Sequence, residues 1–293
     1  MFLRSSLLYA EQFYNMGILE SIIYGIIQGV AEFLPVSSSG HLALAQNFFG
    51  TQESSSFVFN IALHLATLVS VCVVYRKDVL LLIKGGFSLL GKLFTGKLKN
   101  NTDKNEKMFL ALVVATLPLV PVKLLGLDET VEQLCTISWI IGLLLIFNGA
   151  MLIISDRIKN GVSNVENGGL LRPFGVGIVQ ALLGVMPGIS RSGSTITGGR
   201  ILGYTREEAV RFSFLMSIPA ILGACVFELP DMFSEGMSAD LLIPVLAGTV
   251  TAAVVGFFAI KLLQYLAKNK SFTVFAVYCI IIGAAAVVAD LIK

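Results

Sequence analysis

Two short polar segments carry side chains suited to acid–base and nucleophilic chemistry in an otherwise apolar chain. In the first, Gln28 and Glu32 are four residues apart and would share one helix face, which Pro35 would end. Ser38 and His41 follow, one helical turn apart. A carboxylate, hydroxyls and an imidazole are thus concentrated in ten residues, and these are the groups that acid–base and nucleophilic catalysis use.

The second polar segment has the composition of a phosphate-binding turn. Pro187 and Gly188 would interrupt a helix, and the run SRSGST at 190–195 would begin the next one. Free N–H groups at a helix start favour anions, and the planar fork of Arg191 matches phosphate oxygens. The Walker pattern does not occur, so this is a different kind of phosphate cradle.

Hydroxyl-rich turns in membrane helices often serve packing alone. Glu32, His41 and Arg191 argue against that interpretation, because an ionisable side chain at bilayer depth costs about 2.5–3.5 kcal/mol. Their concentration in two segments therefore indicates a functional site. His64 and Asn60, in the apolar stretch NIALHLATL, remain open: they line the site or only hydrogen-bond another helix.

The composition places these segments in a membrane protein. Hydrophobic residues make up 55% of 293 positions and charged residues 14%, and the mean hydropathy is +0.83. Soluble domains have about a quarter charged residues. The net charge of +2 is too small to indicate nucleic-acid binding. We therefore expect membrane lipids, and no nucleic acid, among the partners.

The apolar stretches predict an all-α polytopic fold with six spanning helices. The stretches 18–36 and 174–186 are interrupted or short and run into the polar segments, which predicts re-entrant helix-loop-helix elements. The stretch 79–94 carries lysines and glycines and is predicted to be interfacial or partly inserted. The predicted spans are 57–75, 108–127, 137–154, 210–227, 241–263 and 272–292.

The charge of the loops orients these spans. Basic residues dominate 76–107, 157–172 and 268–270, whereas 128–132 and 228–240 contain acids without Lys or Arg. By the positive-inside rule the basic loops are cytoplasmic. Six spans fit this assignment only if both short elements enter and leave on one side, the first opening outside and the second inside.

An internal repeat relates the two polar segments. Residues 28–40 align without gaps on 180–192, and each segment precedes three spans. An odd number of crossings gives the halves opposite orientations, as in inverted-topology repeats whose broken helices share one site. We expect a single integral membrane domain over 1–293, with halves at about 17–155 and 172–293.

The motifs QGVAEFLPVSSSGH (28–41) and PGISRSGSTITGG (187–199), with FSFLMSIPA (212–220) as a weaker marker, resemble the undecaprenyl-diphosphate phosphatase family associated with bacitracin resistance. The resemblance implies hydrolysis of undecaprenyl diphosphate to undecaprenyl phosphate and inorganic phosphate, which recycles the lipid carrier for peptidoglycan and other envelope polymers. It also implies a divalent cation, Mg or Ca. It further implies an outward-facing active site in the bacterial cytoplasmic (inner) membrane.

The resemblance also assigns roles by position. Gln28 is a departure, since many members resemble a Glu-x-x-x-Glu form there. With one carboxylate fewer, a metal would rest mainly on Glu32, substrate oxygens and water. The implied catalytic residues are Glu32, Ser38, His41 and Arg191, the implied substrate-binding residues are Gln28, Ser37, Ser190, Ser192 and Thr195, and the implied metal ligand is Glu32.

Two alternatives stay open at this point. Broken helices in an inverted repeat also suit a polyprenyl-phosphate flippase, although carriage alone does not require a nucleophile beside a base. With the roles that the resemblance implies, Ser38 is expected to attack the terminal phosphorus, with His41 or Glu32 accepting its proton. Attack by a water that the same base activates is the alternative. A homodimer is compatible with the sequence, and a polyprenyl diphosphate lipid is the expected substrate.

Overall fold

The computed structural model describes residues 16–49, 57–96, 102–127, 131, 137–167, 169–235 and 239–292. Parts of the acidic segments 128–132 and 228–240 lie outside these ranges. Within the described part every regular element is a helix, which confirms the prediction of an all-α chain. The α-helices are α1 (Ile18–Ala31), α2 (Ser38–Phe49), α3 (Phe57–Val74), α4 (Arg76–Phe94), α5 (Lys104–Thr116), α6 (Leu119–Leu124), α7 (Ser138–Arg157), α8 (Leu171–Leu183), α9 (Arg191–Ile201), α10 (Arg206–Glu235), α11 (Leu242–Asn269) and α12 (Thr273–Ile292).

Long apolar helices confirm a polytopic membrane protein. Five described helices could cross a bilayer by length and composition: Lys104–Leu124, Ser138–Arg157, Arg206–Glu228, Leu242–Lys268 and Thr273–Ile292. The remaining predicted span corresponds to α3, which bends by 92° into α4. If this bent pair is counted as one span, the described residues contain up to six spans. The helix α4 occupies the stretch predicted to lie at the interface.

One span begins earlier than predicted. Its helix starts at Lys104, where a capping box joins the backbone and side chains of Asp103 and Glu106. Glu106 is fully buried, and its carboxylate accepts hydrogen bonds from Ser88 at 2.6 Å and from Lys92 at 2.7 Å. Because α4 supplies these partners, a charged residue can lie inside the span. Hydropathy alone predicts a span that begins at 108 and therefore leaves Glu106 out.

The two short helices α1 and α8 have 14 and 13 residues. At 1.5 Å per residue they extend about 20 Å, which is less than a bilayer core of about 30 Å. Each is followed by a turn and a second helix, α2 or α9, on which it packs. The two elements therefore have the form predicted for re-entrant helix pairs.

The halves of the chain exchange their contacts. The short helix α1 packs along α11, a span of the second half, and α8 packs against α5, the corresponding span of the first half. The last spans, α7 and α12, pack on each other, as do α3 and α10. A two-fold relation between halves produces this pattern. The boundaries at about 17–155 and 172–293 stay a prediction.

Small residues let these helices approach closely. A Cβ added at Gly25 of α1 would lie 2.5 Å from the carbonyl oxygen of Gly248 in α11. A Cβ at Gly142 of α7 would lie 2.6 Å from the carbonyl oxygen of Gly283 in α12. Both contacts require glycine, and both hold a re-entrant segment or its support in place.

Candidate active site

The first polar segment folds as a tight turn between α1 and α2. The backbone N–H of Glu32 still bonds the carbonyl of Gln28, so the Glu32 side chain continues the face of α1. Ser37 has φ of 76°, a left-handed conformation that is uncommon outside glycine and concentrates at functional sites. Its Oγ accepts a hydrogen bond from the N–H of Gly40 at 3.2 Å. This bond caps α2 and fixes Ser38 at its first turn.

The second polar segment is an equivalent turn between α8 and α9. Gly188 has φ of 86°, which glycine adopts without strain. Ser190 is the N-cap of α9, where its Oγ accepts from the N–H of Gly193 at 3.1 Å. Arg191 is therefore the first residue of a capped helix.

The two turns touch each other. A Cβ added at Gly40 would lie 2.8 Å from the Cα of Gly188, so only a small residue fits between the turns. Asn148, in the middle of α7, donates to the carbonyl of Pro35 at 2.9 Å and accepts from the N–H of Ser190 at 3.0 Å. One buried amide thus holds both turns. No local pattern in the sequence singles this residue out, because it is a lone Asn in an apolar span.

The side chains of Glu32, Ser38 and Arg191 meet where the turns join. Arg191 Nη2 lies 2.6 Å from Oε1 of Glu32. The other oxygen, Oε2, accepts from Ser38 Oγ at 2.8 Å and from the amide of Gln28 at 3.2 Å. The Glu32 side chain is 6% exposed and that of Arg191 21% exposed. A hydroxyl, a carboxylate and a guanidinium therefore form one connected group with restricted access to solvent.

This group lines a cavity of about 240 Å³. Four of the predicted site residues reach it: Glu32, Ser38, Ser190 and Arg191. The opposite wall comes from the second part of α10, which contributes apolar side chains, a thiol and a carboxylate. These wall residues are Ala220, Ile221, Ala224, Cys225 and Glu228.

His64 also lines the cavity, which resolves the question left open by the sequence. Its Nδ1 lies 2.9 Å from the carbonyl oxygen of Asn60, one turn earlier in α3. This contact uses one ring nitrogen and directs the ring from a spanning helix towards the two turns. The imidazole that lines the cavity therefore belongs to α3. The first polar segment had predicted that His41 would take this place.

His41 does not line the cavity. Its Nδ1 lies 2.8 Å from the carbonyl oxygen of Ser37, and its Nε2 lies 2.9 Å from the hydroxyl of Tyr278. The two rings are stacked, with centroids 5.5 Å apart and planes 9° from parallel. Both ring nitrogens are thus engaged, and the imidazole ties the first turn to α12.

The remaining predicted binding residues lie behind the cavity. Ser192 and Thr195 are buried on α9, where Ser192 Oγ lies 3.0 Å from Ser190 Oγ. Thr195 Oγ1 lies 2.7 Å from Ser213 Oγ of α10. Ser37 is buried in the cap of α2. Their roles in binding stay predictions, and their contacts position the segments that carry Ser38 and Arg191.

Gln28 and Glu32 offer the oxygen atoms that Mg²⁺ and Ca²⁺ prefer. Gln28 is fully buried, and its Oε1 has no hydrogen-bond partner among the described residues. The described part of the chain contains no cluster of three or more His, Cys, Asp or Glu suited to a metal. A cation would therefore take one carboxylate and one amide oxygen from the protein. These residues fit that role if substrate oxygens and water complete the coordination.

Comparison with known proteins agrees with the motifs. A family described as bacitracin resistance protein BacA matches residues 21–285. A protein of Desulfosudis oleivorans named undecaprenyl-diphosphatase is 40% identical over 270 residues, covering 90% of this chain and 96% of that protein. Proteins of the same name from Treponema denticola and Alkaliphilus metalliredigens are 41% and 36% identical, over 92% and 94% of this chain and 96% and 100% of theirs.

Proposed function

We propose that this chain, which belongs to the bacitracin resistance protein BacA family, hydrolyses undecaprenyl diphosphate to undecaprenyl phosphate and inorganic phosphate. Proteins named for that activity match this chain over almost their whole length. The observation that carries the proposal is the contact of Ser38 Oγ with Glu32 Oε2 at 2.8 Å, beside the guanidinium of Arg191. This group can activate a nucleophile and hold a phosphate in one cavity.

The chemical step follows from these contacts. Glu32 Oε2 takes the proton of Ser38 as Oγ attacks the terminal phosphorus. The Oγ–P bond forms while the bond from phosphorus to the bridging oxygen breaks, and undecaprenyl phosphate leaves. Water then cleaves the phosphoserine to release phosphate and restore the hydroxyl. In the alternative route Glu32 activates water directly, and Ser38 only orients the carboxylate.

Arg191 stabilises the charge that develops on the transferred phosphoryl group. In the structure its guanidinium is paired with Glu32. Phosphate oxygens would compete for that guanidinium and so release Glu32 to act as a base. Binding of substrate and activation of the base are thereby linked.

A divalent cation, Mg or Ca, is proposed as the cofactor. Glu32 and the unpartnered Oε1 of Gln28 would hold it, and when bound it would neutralise phosphate charge. His64 faces the same cavity and adds a group that donates hydrogen bonds or takes up a proton.

The cavity is proposed to open on the outer face of the bacterial cytoplasmic membrane. It is lined by residues 220–228 of α10, whereas the basic loops lie near Arg206, where that helix begins. Arg206 and Glu228 are separated by about 33 Å of helix, which is a full membrane crossing. With the basic end cytoplasmic, the cavity faces outward. The polyprenyl tail then lies among the spans, in the lipid.

A lipid flippase has no observation in its favour, because carriage does not require a hydroxyl bonded to a carboxylate. The activity is tested with the purified full chain in detergent, supplied with undecaprenyl diphosphate and Mg²⁺ or Ca²⁺. We expect equal amounts of inorganic phosphate and undecaprenyl phosphate. Absence of both products with either ion would refute the proposal.

The covalent and direct routes are separated by rapid quenching during turnover. Mass spectrometry of the peptide that contains Ser38 detects a phosphoryl group only if the serine is the nucleophile. Transfer of solvent oxygen to the released phosphate occurs in both routes, so the modified peptide decides between them.

A further inference from the structure

A second cavity, of about 550 Å³, lies at the opposite end of α9 from the active site. Arg191, at the start of that helix, lines the first cavity, and Arg200, near its end, lines the second. Nine residues separate them, which corresponds to about 13 Å along a helix. The second cavity also includes the start of α10 and the last turn of α11. It therefore lies at the end of the spans that carries the basic loops.

Arg200 forms the buried wall of this cavity. The residue is only 4% exposed. Its Nη2 donates to the carbonyl of Ile158, at the end of α7, and its Nε and Nη1 have no hydrogen-bond partner among the described residues. A buried cation is costly unless a counter-charge or hydrogen bonds compensate it.

The neighbouring carboxylates are already committed. Asp156 pairs with Arg206 and accepts from Thr273 Oγ1 at 3.1 Å. Glu207 lies 3.9 Å from Lys268, with both side chains 61% exposed. Among the described residues no carboxylate forms an ion pair with Arg200, and Asp156, whose charge also acts on Arg200, is bonded to Arg206 instead.

The other cations of the cavity add to this charge. Arg206 also donates to the carbonyl of Lys270 and stacks on Phe272, and its Nε has no partner in the described part of the chain. Lys268 lies at the rim, and its exposed pair with Glu207 is worth little in water. The cavity thus has a buried guanidinium on one side and an exposed ammonium at its rim.

We propose that this cavity binds a phosphate group, provided by the headgroup of an anionic phospholipid or by free inorganic phosphate. A phosphate compensates the charge of Arg200 by Coulomb attraction and bonds the planar guanidinium groups more strongly than a neutral ligand does. The cavity lies where spans end at the basic face, which is the depth of the lipid headgroups. Basic pockets between spans at that depth suit anionic lipids. The site is separate from the catalytic cavity and does not depend on its activity.

The test measures the thermal unfolding temperature of the full chain in detergent. All variants carry Arg191→Gln, which removes the phosphate grip of the first cavity. The probes are inorganic phosphate, chloride at equal ionic strength, and dihexanoyl phosphatidylglycerol and phosphatidylcholine. The two lipids have equal tails, but choline neutralises the phosphate of the second.

We expect phosphatidylglycerol, inorganic phosphate or both to raise the unfolding temperature, while phosphatidylcholine and chloride do not. A response to phosphatidylglycerol alone assigns the site to a lipid headgroup, and a response to both assigns it to the phosphate group itself. Adding Arg200→Met should weaken the apparent affinity about tenfold, as loss of a charge-assisted contact does. Arg76→Met, at an exposed arginine of α4, is the matched control and should leave the affinity unchanged.

Lys268→Gln provides a second variant that should fold normally, because Lys268 is exposed. It should weaken the affinity about threefold, as expected for a surface charge, and Lys77→Gln on the exposed face of α4 should not. The proposal is overturned if neither anionic probe raises the unfolding temperature, or if phosphatidylcholine acts as strongly. It is also overturned if Arg200→Met and Lys268→Gln both respond as their parent does. Where Arg200→Met does not fold, Lys268→Gln decides alone.

Discussion

The guanidinium of Arg191 lies 2.6 Å from the carboxylate of Glu32, and this ion pair joins two re-entrant segments that are 159 residues apart. The same carboxylate accepts a hydrogen bond from the hydroxyl of Ser38, and the two oxygen atoms are 2.8 Å apart. Under the proposed mechanism, a phosphate that binds Arg191 would leave Glu32 free to deprotonate Ser38. The two turns therefore bring together a carboxylate from the first segment and a guanidinium from the second.

Replacing Arg191 by Gln should lower kcat/KM about 100- to 1,000-fold, because a charge that stabilises the transition state is lost. Arg191→Lys should recover only part of the activity, since an ammonium cannot bind two phosphate oxygens as a planar fork does. Phosphate release measures both variants. Arg157→Gln, at an exposed arginine of α7, is the control, and full activity of Arg191→Gln would contradict the assignment.

Replacing Glu32 by Gln should reduce kcat by about 100- to 10,000-fold, because an amide keeps the shape of the side chain but cannot accept the proton. The variant should also lose part of its stability, since Arg191 would be left without its buried counter-charge. Phosphate release and thermal unfolding are measured together. Glu20→Gln, on α1, provides the comparison, and a Glu32→Gln enzyme as fast as Glu20→Gln would exclude Glu32 as the base.

The two histidines should respond differently. His41 bonds the backbone of Ser37 and the hydroxyl of Tyr278, so His41→Ala should lower the unfolding temperature and the activity together. His64 lines the cavity, so His64→Ala should lower activity with a smaller change in unfolding temperature. Tyr278→Phe removes one of the bonds of His41 and should reproduce part of its effect. Equal stability losses in both histidine variants would contradict this distinction.

Asn148 holds both turns, so Asn148→Ala should destabilise the chain by about 1–3 kcal/mol for each buried group left unpaired. Activity should fall as well, because the turns carry Ser38 and Arg191. Denaturation in detergent measures the first effect and phosphate release the second. Asn47→Ala removes a partly buried hydrogen bond to Ser138 and is the control. It should lower stability and activity less than Asn148→Ala does. Retained activity in Asn148→Ala would show that the two turns keep their positions without the Asn148 side chain.

Gln28→Glu should lower the concentration of Mg²⁺ or Ca²⁺ required for half-maximal activity. The change places a second carboxylate four residues from Glu32, which strengthens a cation site and, without the ion, adds like-charge repulsion. Activity is titrated against each cation, and stability is measured in a chelator. An unchanged cation requirement would remove Gln28 from the cation site.

Hydropathy predicted the spanning helices well, since lipid imposes long apolar helices on any span. Glu106 is a residue whose place in a span hydropathy did not predict. The sequence excluded it from a span because its partners Ser88 and Lys92 lie on another helix, which no local pattern reveals. The bend between α3 and α4 has the same origin, because only packing decides how an apolar stretch with lysines is placed.

The motifs located Glu32, Ser38 and Arg191 correctly at one cavity, since both turns are defined by local breakers and caps. The position of the imidazole was not predictable in this way. His41 is nearer to Ser38 in sequence, but the direction of α2 turns it towards Tyr278, and His64 enters from a distant span. Asn148 was missed because a lone amide in an apolar helix has no local signature, and only the fold shows that it bonds both turns.

The most direct measurement is phosphate release from undecaprenyl diphosphate by a pair of serine variants. Ser38→Ala removes the hydroxyl that bonds Glu32, whereas Ser217→Ala removes a buried hydroxyl of α10 that bonds the carbonyl of Phe214. Both proteins should fold and unfold at similar temperatures. We predict that Ser217→Ala retains the rate of the unmodified chain and that Ser38→Ala loses at least about 100-fold in kcat. A folded Ser38→Ala protein that releases phosphate at the unmodified rate would contradict the account.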